Sequence, residues 1–510
     1  MKLIADTNKA AAPDIEGNSG NLLNFYFHND SVLVDLLVDL INHILNTGES
    51  PDSWKRHYIT LIEKRSGILT AENLANDLRP ISIINEYSKL VSKLLAKRLG
   101  NCLLTKDVLS PAQRAFIKNG STHHCISTLI NVLEDAKHKR ALSPGHTLYF
   151  TSYDQAKAYD SVQFFSIKAS LERFNLPDSF IKYVLNIHLN IRAAFKTFYG
   201  LTETFEIENS IKQGDPLAPL VFIFITDALH EGLQTSPILT DGSAPFTGGY
   251  RFISSPLDIA SIGFADDLTT FSETWLHHWA KHQWIRTFFT IHCHEINVLK
   301  TIYIISDAIK DDSRWLYSID GKTQIKPSPS NTNFRFLGIH TNLNLSWAKQ
   351  SYIMEATIIN WCKSIRKSEI SSLKAQEAYK IYLLPRLDLG LTFADIPVKT
   401  CNRWTRRVLR TILSADFHPT ELSSKLSANA FSDLTNCPFF LDRKYSNQLK
   451  ELIYNLNSPA SHAGLSTSAR IYNLTKNYNM GSLYVRRLLQ KYKTHRFASL
   501  IEYWKKNDVL

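Results

Sequence analysis

The sequence predicts an α+β fold, in which a few short strands lie among a larger number of helices. The 510 residues are 44% hydrophobic and 21% charged, which is typical of a globular protein and excludes a disordered or collagen-like chain. Short segments rich in β-branched and aromatic residues alternate with turn signals, and longer segments carry apolar residues at helical spacing. At roughly 100–200 residues per domain, the length suggests about three structural units.

Helical patterns surround one short strand in the N-terminal part of the chain. Residues 1–28 show no periodic pattern and are expected to lack regular structure. Asp30 is a candidate N-cap for a helix over residues 31–45, where apolar residues recur at helical spacing. Residues 54–64 predict a short strand, and residues 86–99 predict a second amphipathic helix.

Most of the predicted strands lie in the middle of the chain. Residues 146–153 are rich in β-forming side chains, and residues 204–212 predict a further strand before a Gly/Pro turn and an apolar helix. Residues 260–271 predict two short strands about a tight Asp-Asp turn, and residues 334–339 predict one more strand. From residue 346 to residue 414 the pattern is mostly helical.

Three carboxylates stand at the ends of predicted strands. Asp154 closes an apolar strand, and Asp266 and Asp267 occupy the tip of the predicted hairpin. A half-buried cluster of carboxylates is unfavourable unless cations neutralise it, and Mg²⁺ suits a few carboxylates combined with substrate phosphates. Two such ions about 3.5–4 Å apart stabilise the attacking and leaving oxygens of a phosphoryl displacement. Each Asp taken alone is more often a turn former or a helix cap than a metal ligand.

The segments around these carboxylates form an ordered series of motifs. Downstream of residue 145 the order is FTSYDQAKAYDSV, IKQGDPLAPL, GFADDLTTF, INVLKT and FRFLGI. Upstream stand PDSWK, DLRPISIINEYSKLVSKLLAKRL and QRAFIKNGSTHHCISTL. The first series resembles the palm, and the second the fingers, of reverse transcriptases of the non-LTR (LINE-type) retrotransposon family. The likeness runs from about residue 30 to residue 415 and includes the thumb-like QEAYKIYLLPRLDLGL.

The resemblance implies a right-hand polymerase of fingers, palm and thumb with a mainly helical C-terminal segment. It implies an RNA-directed DNA polymerase of retrotransposon origin, which extends a DNA primer on an RNA template with dNTPs. Two Mg²⁺ ions, with Mn²⁺ as an alternative metal, would serve nucleotidyl transfer. The expected divisions are 1–50 as an N-terminal extension and lead-in helix, 51–145 as fingers, 146–345 as palm, 346–435 as helical thumb and 436–510 as a basic C-terminal segment.

The same motifs carry catalytic roles onto individual residues. Asp154 and Asp266 match the metal-binding catalytic carboxylates, and Asp267 matches the second acid of the Asp-Asp turn. Lys300 matches a lysine proposed to protonate the leaving pyrophosphate, and a solvated lysine at a helix end is the alternative. Tyr159 matches the bulky residue beneath the sugar of the incoming nucleotide, where a ring would clash with a 2′-hydroxyl; a simple core aromatic is the alternative.

Further positions match the nucleotide pocket and the primer grip. Arg79 and Lys118 match finger positions near the triphosphate. The residues that match the loop shaping the base-pair pocket are Gln213, Gly214 and Pro216. The residues that match the primer-grip hairpin are Phe336, Leu337 and Gly338.

Some features depart from the family pattern. Ala218 stands where a serine is more usual, and Glu295 precedes Ile296 where a Gly-Leu pair is common. Fewer than 50 residues precede the fingers, so neither end of the chain is expected to hold an endonuclease or an RNase H domain. The chain is then expected to be a fragment of an element, a separately encoded polymerase or a domesticated copy. Two other functions stay open, a non-catalytic RNA-binding relic and an intron-maturase-type reverse transcriptase.

The charge is concentrated at the C-terminal end. The chain has a formal charge of +11, and residues 436–510 contain twelve basic and four acidic residues, a balance of +8. A basic end with interleaved tyrosines suits single-stranded RNA. The alternative is a helical appendage that packs its aromatic side chains on the thumb and leaves its cations solvated. The absence of a long apolar stretch or signal peptide predicts an intracellular protein of the cytoplasm or nucleus, neither secreted nor membrane-bound. The oligomeric state is left open.

Overall fold

The computed structural model describes most of the chain. The described residues are 12–63, 78–106, 108–117, 120–235, 248–253, 255–306, 314–413, 439–458 and 461–477. Helices and short strands are mixed along these ranges, as the predicted α+β class requires.

The described helices and strands are numbered in chain order. The α-helices are α1 (Gly20–Asn29), α2 (Ser31–Thr47), α3 (Glu86–Lys106), α4 (Thr122–Leu142), α5 (Phe164–Arg173), α6 (Asp178–Asn186), α7 (Ala218–Thr235), α8 (Trp275–Ile291), α9 (Ala348–Lys367), α10 (Ser372–Ala378), α11 (Leu384–Phe393), α12 (Val398–Leu413), α13 (Phe440–Leu456) and α14 (His462–Asn477). The strands are β1 (Arg56–Glu63), β2 (Leu78–Ile83), β3 (Tyr149–Tyr153), β4 (Gln155–Ala156), β5 (Ile191–Thr197), β6 (Gly200–Leu201), β7 (Phe205–Ile207), β8 (Tyr250–Arg251), β9 (Asp258–Ile259), β10 (Ser261–Phe264), β11 (Asp267–Ser272), β12 (Glu295–Ile296), β13 (Ile302–Ile305), β14 (Leu316–Tyr317), β15 (Gln324–Ile325), β16 (Phe334–Phe336) and β17 (Ile339–Thr341).

Helix α2 begins where the sequence predicts. The Oδ1 atom of Asp30 accepts hydrogen bonds from the amides of Val32 and Leu33, at 2.9 and 3.3 Å. These two amides have no partner within the helix, so the carboxylate stabilises its first turn. At the other end, Gly48 closes the helix in the left-handed conformation, with φ 73°.

The expectation that residues 1–28 lack regular structure is wrong, because α1 begins within them. Leu23 and Phe27 lie on one face of α1 and are buried in an apolar cluster with one side chain each from α2 and α3. Because α1 buries only two of its described side chains, one helical turn apart, its sequence shows little apolar periodicity. Its tertiary contacts stabilise it, and those contacts are not visible in a local pattern.

Two sheets organise the strands. In the first sheet the strand order is β2-β1-β5-β6, with β7 also on β5, and the β1–β5 pair is parallel. In the central sheet the order is β10-β11-β3-β13, and all three pairs are antiparallel. The strand predicted over residues 204–212 is shorter than expected, and the pattern did not predict β5, the strand that joins it to β1.

Helices cover both faces of the central sheet. Tyr149 and Tyr153 of β3 pack into the apolar core formed with α5, α7 and α8. Phe150, which points to the opposite face, packs into a second core formed with α4. Successive side chains of a strand alternate between its faces, so one five-residue strand supplies both cores. The strand ends are left to carry polar residues.

A helical bundle follows the strands, as the pattern from residue 346 predicts. Helices α9 to α12 enclose an apolar core that includes Ile358, Leu387 and Trp404. A π-helical turn at Tyr379–Leu383 joins α10 to α11 without a loop. Among the residues that the structure describes, no helix combines the length and the apolarity needed to cross a membrane.

Helices α13 and α14, here called the C-terminal helices, use basic residues for contacts within the chain. Arg443 donates from Nε and Nη2 to the carboxylate of Asp388, at 2.8 and 2.7 Å. Arg470 Nη1 lies 2.9 Å from Oδ1 of Asp135, which is fully buried in α4. At least these two cations are therefore ion-paired within the protein rather than directed at a partner.

Aromatic and polar side chains of α13 also face α4. The ring of Tyr454 stacks on His124, with ring centroids 4.6 Å apart. Glu451 accepts hydrogen bonds from Ser127 and His123, both at 2.7 Å. Tyr454 and Glu451 thus make contacts within the chain, as the packing alternative expects, but the partner in these contacts is α4 and not the bundle of α9 to α12. The expectation of solvated cations is wrong for Arg443 and Arg470. Phe440 of α13 is buried in the core of α9 to α12, and the aromatic side chains from Tyr472 onward lie outside the described side chains.

Replacing Arg470 tests how strongly α14 is anchored. Arg470→Ala should lower the free energy of unfolding by about 3 kcal/mol, because removing one partner of a buried ion pair leaves the other charge uncompensated. Arg443→Ala is the matched control: its ion pair is more exposed, so its loss should have a clearly smaller effect. Urea unfolding of the full chain measures both. Equal losses for the two variants would show that the Asp135 contact is no stronger than a surface pair.

Candidate active site

The register of the central sheet brings the predicted carboxylates together. Strand β11 pairs with β3 so that Leu268 lies opposite Tyr153. Asp267 immediately precedes Leu268, and Asp154 immediately follows Tyr153. Both acids therefore lie at the same end of the two paired strands. The residues are more than 100 positions apart in sequence, and only the strand pairing makes them neighbours.

The second carboxylate, Asp266, lies in the tight turn between β10 and β11, and the third, Asp267, is the first residue of β11. Phe264 pairs with Asp267, which leaves Ala265 and Asp266 as the two turn residues. Ala265 has φ 57°, in the left-handed region that few residues other than glycine adopt. The predicted tight hairpin is thus formed, but its two turn residues are Ala265 and Asp266, and Asp267, expected at the tip, begins β11.

Burial and mutual repulsion raise the pKa values of the two turn carboxylates. The pKa of Asp267 is raised to about 6, first by desolvation from the surrounding protein and then by the negative charges of Asp266 and Asp154, although the residue keeps an exposed surface. The pKa of Asp266 is also raised, mainly by burial, and the Asp154 carboxylate adds to this. Two cations oppose the effect, Arg79 at Asp266 and Arg335 at Asp267. A cluster with this excess of negative charge favours the binding of cations.

Asp154 is held beside the loop that carries Lys300. The amide of Asn297 donates to the Asp154 carbonyl at 2.8 Å, and the amide of Asp154 donates to Thr301 Oγ1 at 3.4 Å. Lys300 Nζ lies 3.8 Å from Asp154 Oδ2, and its side chain is 66% exposed. The structure thus places Lys300 at the carboxylate cluster, on its solvent side.

The donor set suits an open metal site. Among the described residues, no group of three or more His, Cys, Asp or Glu side chains is arranged so that it could hold a metal ion by itself. Three carboxylates at one sheet edge, two of them with raised pKa values, nevertheless form a hard-oxygen, anionic site. Mg²⁺ is bound in this manner, through one or two carboxylates, water and the phosphates of a substrate.

Tyr159 lies close to this cluster, on the helix side. Its ring stacks on Phe222 of α7, with ring centroids 4.9 Å apart and an angle of 12° between the planes. Burial raises the pKa of the Tyr159 hydroxyl, and the Asp266 carboxylate raises it further. The half-buried ring is thus packed against the core and close enough to Asp266 to feel its charge.

The Gln213 loop packs directly on the first sheet. The amide of Ser82 on β2 donates to the Gln213 carbonyl at 2.7 Å, and Gln213 Nε2 donates to Asp160 Oδ1 at 3.3 Å. Gly214 has φ 128°, and a Cβ atom there would lie 2.4 Å from the Ser82 carbonyl oxygen. Only glycine permits this approach. Pro216 follows half-buried, just before α7.

The remaining predicted residues lie on other elements. Arg79 is exposed on β2, on the same strand as Ser82. Phe336 ends β16 with a buried side chain, and Leu337 and Gly338 form the turn to β17 with φ 44° and 97°. Lys118 lies outside the described residues.

The sequence patterns missed Arg335. Its neighbours Phe334 and Phe336 are buried, and Arg335 between them is exposed, so its side chain faces the opposite side of β16. Its guanidinium lowers the pKa of Asp267, against the effect of burial. The alternation Phe-Arg-Phe indicated that Arg335 would face away from the core. That Arg335 lies near Asp267 depends on how the β16–β17 hairpin lies against the central sheet, which the alternation does not show.

A family model for reverse transcriptase (RNA-dependent DNA polymerase) matches residues 62–341, more than half of the chain. The chain belongs to the reverse transcriptase family. The match covers the Asp154 and Asp266–Asp267 elements, the Gln213 loop and the β16–β17 hairpin. The predicted α+β right-hand polymerase fold is confirmed for this reverse transcriptase.

Curated relatives of this reverse transcriptase come from retrotransposons. It is 27% identical over 240 residues to the retrovirus-related Pol polyprotein of the type-1 retrotransposable element R2 of Nasonia vitripennis, covering 47% of this chain and 21% of that protein. It is 24% identical over 385 residues to an R2 Pol polyprotein of Popillia japonica, covering 74% and 49%. The chain thus spans about a fifth to a half of these relatives. The predicted non-LTR retrotransposon origin is confirmed.

A solved telomerase is also similar to this reverse transcriptase. The telomerase of Candida albicans, in complex with a fragment of telomeric RNA, aligns with 12% identity and a TM-score of 0.43. The alignment covers 88% of this chain and 67% of the telomerase chain.

The raised pKa of Asp267 gives a testable effect on stability in metal-free buffer. The folded state binds the Asp267 proton more tightly than the unfolded chain, so stability falls as the pH rises from about 4 to about 6. Asp267→Asn removes this charge and should raise the free energy of unfolding at pH 8 by about 1 kcal/mol at most, because the residue is exposed and solvent screens its interactions. Urea unfolding in EDTA at pH 5 and pH 8 should show the gain shrinking at the lower pH. An equal or lower stability of the variant at pH 8 would contradict the assigned repulsion.

Proposed function

We propose that this chain is an RNA-directed DNA polymerase, which adds dNTPs to the 3′-hydroxyl of a DNA primer on an RNA template. The observation that carries the proposal is the β3–β11 register, which puts Asp154 beside the Asp266–Asp267 turn in a member of the reverse transcriptase family. The three carboxylates would hold two Mg²⁺ ions, for which Mn²⁺ is an alternative. When bound, these ions stabilise the attacking and leaving oxygens of the phosphoryl displacement.

Residues around the carboxylates would bind the incoming nucleotide. Tyr159 would lie beneath the sugar, where its ring leaves no room for a 2′-hydroxyl. Gln213 and Gly214, with Pro216 behind them, would form the wall of the base-pair pocket, because the Ser82 contact brings this loop close to β2. Arg79 would contact the triphosphate, and Lys118 is proposed from its motif alone.

Lys300 is proposed to act on the leaving group. Its Nζ is near the Asp154 carboxylate and is accessible from solvent, so it can move toward a pyrophosphate without breaking a buried contact. There it would donate a proton or balance the developing charge. Arg335 is suited to neutralise Asp267 before a nucleotide arrives.

The primer and template would be bound by the fingers, the palm with its primer-grip turn, and the thumb. The β16–β17 turn, with Phe336, Leu337 and Gly338, would hold the primer terminus as a primer grip. Residues 51–145 would serve as fingers, and residues 146–345 as palm. Residues 346–435 would form the thumb. Binding through phosphates makes the complex sensitive to salt.

Primer extension by the purified chain tests the proposal. We expect addition of the nucleotide that is complementary to an RNA template, from dNTPs and with Mg²⁺ or Mn²⁺ present. A DNA template of the same sequence is the control for the kind of template used. A dNTP that is not complementary to the template is the control for templated addition. Tight binding of the template–primer without addition, with either metal, would favour the non-catalytic RNA-binding relic.

A further inference from the structure

A buried glutamine outside the metal-binding cluster contacts the Asp-Asp turn directly. Gln113 lies in the segment between α3 and α4, and its side chain is fully buried. Its Nε2 donates to the carbonyl of Ala265 at 3.2 Å, and the amide of Ala265 donates to its Oε1 at 3.1 Å. One side chain amide thus satisfies both backbone groups of the residue that precedes Asp266.

The backbone on either side of Gln113 continues the central sheet. The amide of Gly263 on β10 donates to the Ala112 carbonyl at 2.9 Å, and the amide of Arg114 donates to the Gly263 carbonyl at 3.2 Å. This is a parallel bridge between Gln113 and Gly263. Beyond this bridge the backbone of the Gln113 segment turns away from the sheet. There the Gln113 side chain, and not the backbone, hydrogen-bonds to Ala265.

The segment that carries Gln113 is itself firmly held. Asp227, buried on α7, accepts from the amide of Ser110 at 2.6 Å and pairs with Arg173 at 3.0 Å. Gln113 Oε1 also accepts from the amides of Arg114 and Ala115, both at 3.1 Å. The amide group of Gln113 therefore has little freedom to reorient.

The turn needs such support at Ala265. A non-glycine residue in the left-handed region is disfavoured, and the two neighbouring carboxylates repel each other. Without Gln113, the Ala265 backbone groups would lose their partners and the turn would have several conformations available. The carboxylate of Asp266 would then be less well placed.

We propose that Gln113 is a positioning residue of the polymerase site, which fixes the backbone of the Asp-Asp turn through its two hydrogen bonds to Ala265. The proposal rests on the proposed function of Asp266 as a metal ligand. Gln113 does not touch the reacting atoms and acts through the turn. An amide is required, because the site needs one donor and one acceptor on the same planar group.

Gln113→Met tests this role, because it keeps the volume of the side chain and removes both hydrogen bonds. The matched control is Asn131→Leu, which removes a fully buried amide on α4 that donates to Ser466 and Thr467 at 3.0 and 3.1 Å, away from the turn. Both variants lose stability. Only Gln113→Met should lower kcat, by about 10²-fold, since a displacement of about 1 Å near the reaction centre has effects of this size.

Metal binding gives a readout that does not depend on activity. We expect Gln113→Met to weaken Mn²⁺ binding to the chain at least about 10-fold, measured directly by EPR, while Asn131→Leu matches the wild type; a tenfold change corresponds to about 1.4 kcal/mol. Equal Mn²⁺ affinity and equal kcat in Gln113→Met and Asn131→Leu would overturn the proposal. An inactive wild type would sink the proposed function instead, and the Mn²⁺ affinities would still decide the role of Gln113.

Gln113→Glu is the second variant, for the case in which Gln113→Met does not fold. An ionised glutamate accepts hydrogen bonds but cannot donate one, so its oxygen would repel the Ala265 carbonyl oxygen. A protonated glutamic acid restores a donor to this carbonyl. The activity of Gln113→Glu relative to the wild type should therefore rise as the pH falls from 8 to 6. A ratio that stays constant over this range would mean that the donor to the Ala265 carbonyl has no role.

Discussion

Asp154→Asn and Asp266→Asn should each reduce nucleotide addition by at least about 10³-fold. Each substitution keeps the shape of the side chain and removes one negative charge from the cluster at the edge of the central sheet. The charge binds the ions that stabilise the transition state, and the loss of even one neutral stabilising group in an active site has effects of about 10²–10³-fold. Single-turnover addition of one dNTP to a radiolabelled primer measures the rate of the chemical step.

The same two variants should still bind the template–primer. Binding depends on phosphate contacts distributed over the surface, and neither Asp side chain is expected to supply one. Asp178→Asn, which alters an exposed aspartate in the first turn of α6, is the control for a general effect of charge removal. Wild-type rates in Asp154→Asn or Asp266→Asn would refute the catalytic assignment. Loss of both binding and addition would indicate misfolding.

Tyr159→Ala should admit ribonucleotides. Removing the ring opens space next to the Asp266 turn, and a pocket that excludes a hydroxyl by shape alone discriminates by about 10²-fold at best. We therefore expect the preference for each dNTP over its rNTP to fall by roughly 10–100-fold, with dNTP addition partly retained. Single-turnover kcat/KM values for the four dNTP–rNTP pairs measure this preference.

Tyr159→Phe separates sugar selection from packing. It keeps the stacking contact with Phe222 and loses only the hydroxyl, so it should retain the wild-type preference for dNTPs. If Tyr159→Ala keeps activity and an unchanged dNTP preference, Tyr159 is a core aromatic and some other residue selects the sugar.

Local sequence patterns carried much of the information about this site. The strand that ends at Asp154 and the hairpin of Asp266–Asp267 follow from β-forming side chains and a short polar turn, both of which are local properties. The cap at Asp30 is equally local. Gly214 in its loop has a backbone conformation that demands glycine, and glycine is easily recognised in a sequence.

Long-range contacts were not accessible in this way. Gln113 and Ala265 are 152 positions apart, and nothing in the residues around Gln113 indicates that its side chain pairs with a turn of another sheet element. Ser127 and Glu451 are 324 positions apart, and the residues around them likewise do not indicate their hydrogen bond. The basic C-terminal residues were ambiguous for a related reason, because a charge count does not distinguish a cation paired with a buried aspartate from one that meets a phosphate.

The metal dependence of single-turnover addition tests the central claim most directly. EDTA-treated wild-type chain, mixed with RNA template, DNA primer and the complementary dNTP, should be inactive and should regain addition as Mg²⁺ is restored. The rate should rise more steeply than the first power of the Mg²⁺ concentration, since two ions act together, and Asp154→Asn and Asp266→Asn should remain inactive throughout. Addition in EDTA, or the same Mg²⁺ dependence in wild type and both variants, would contradict the assignment of these carboxylates to a two-metal polymerase site.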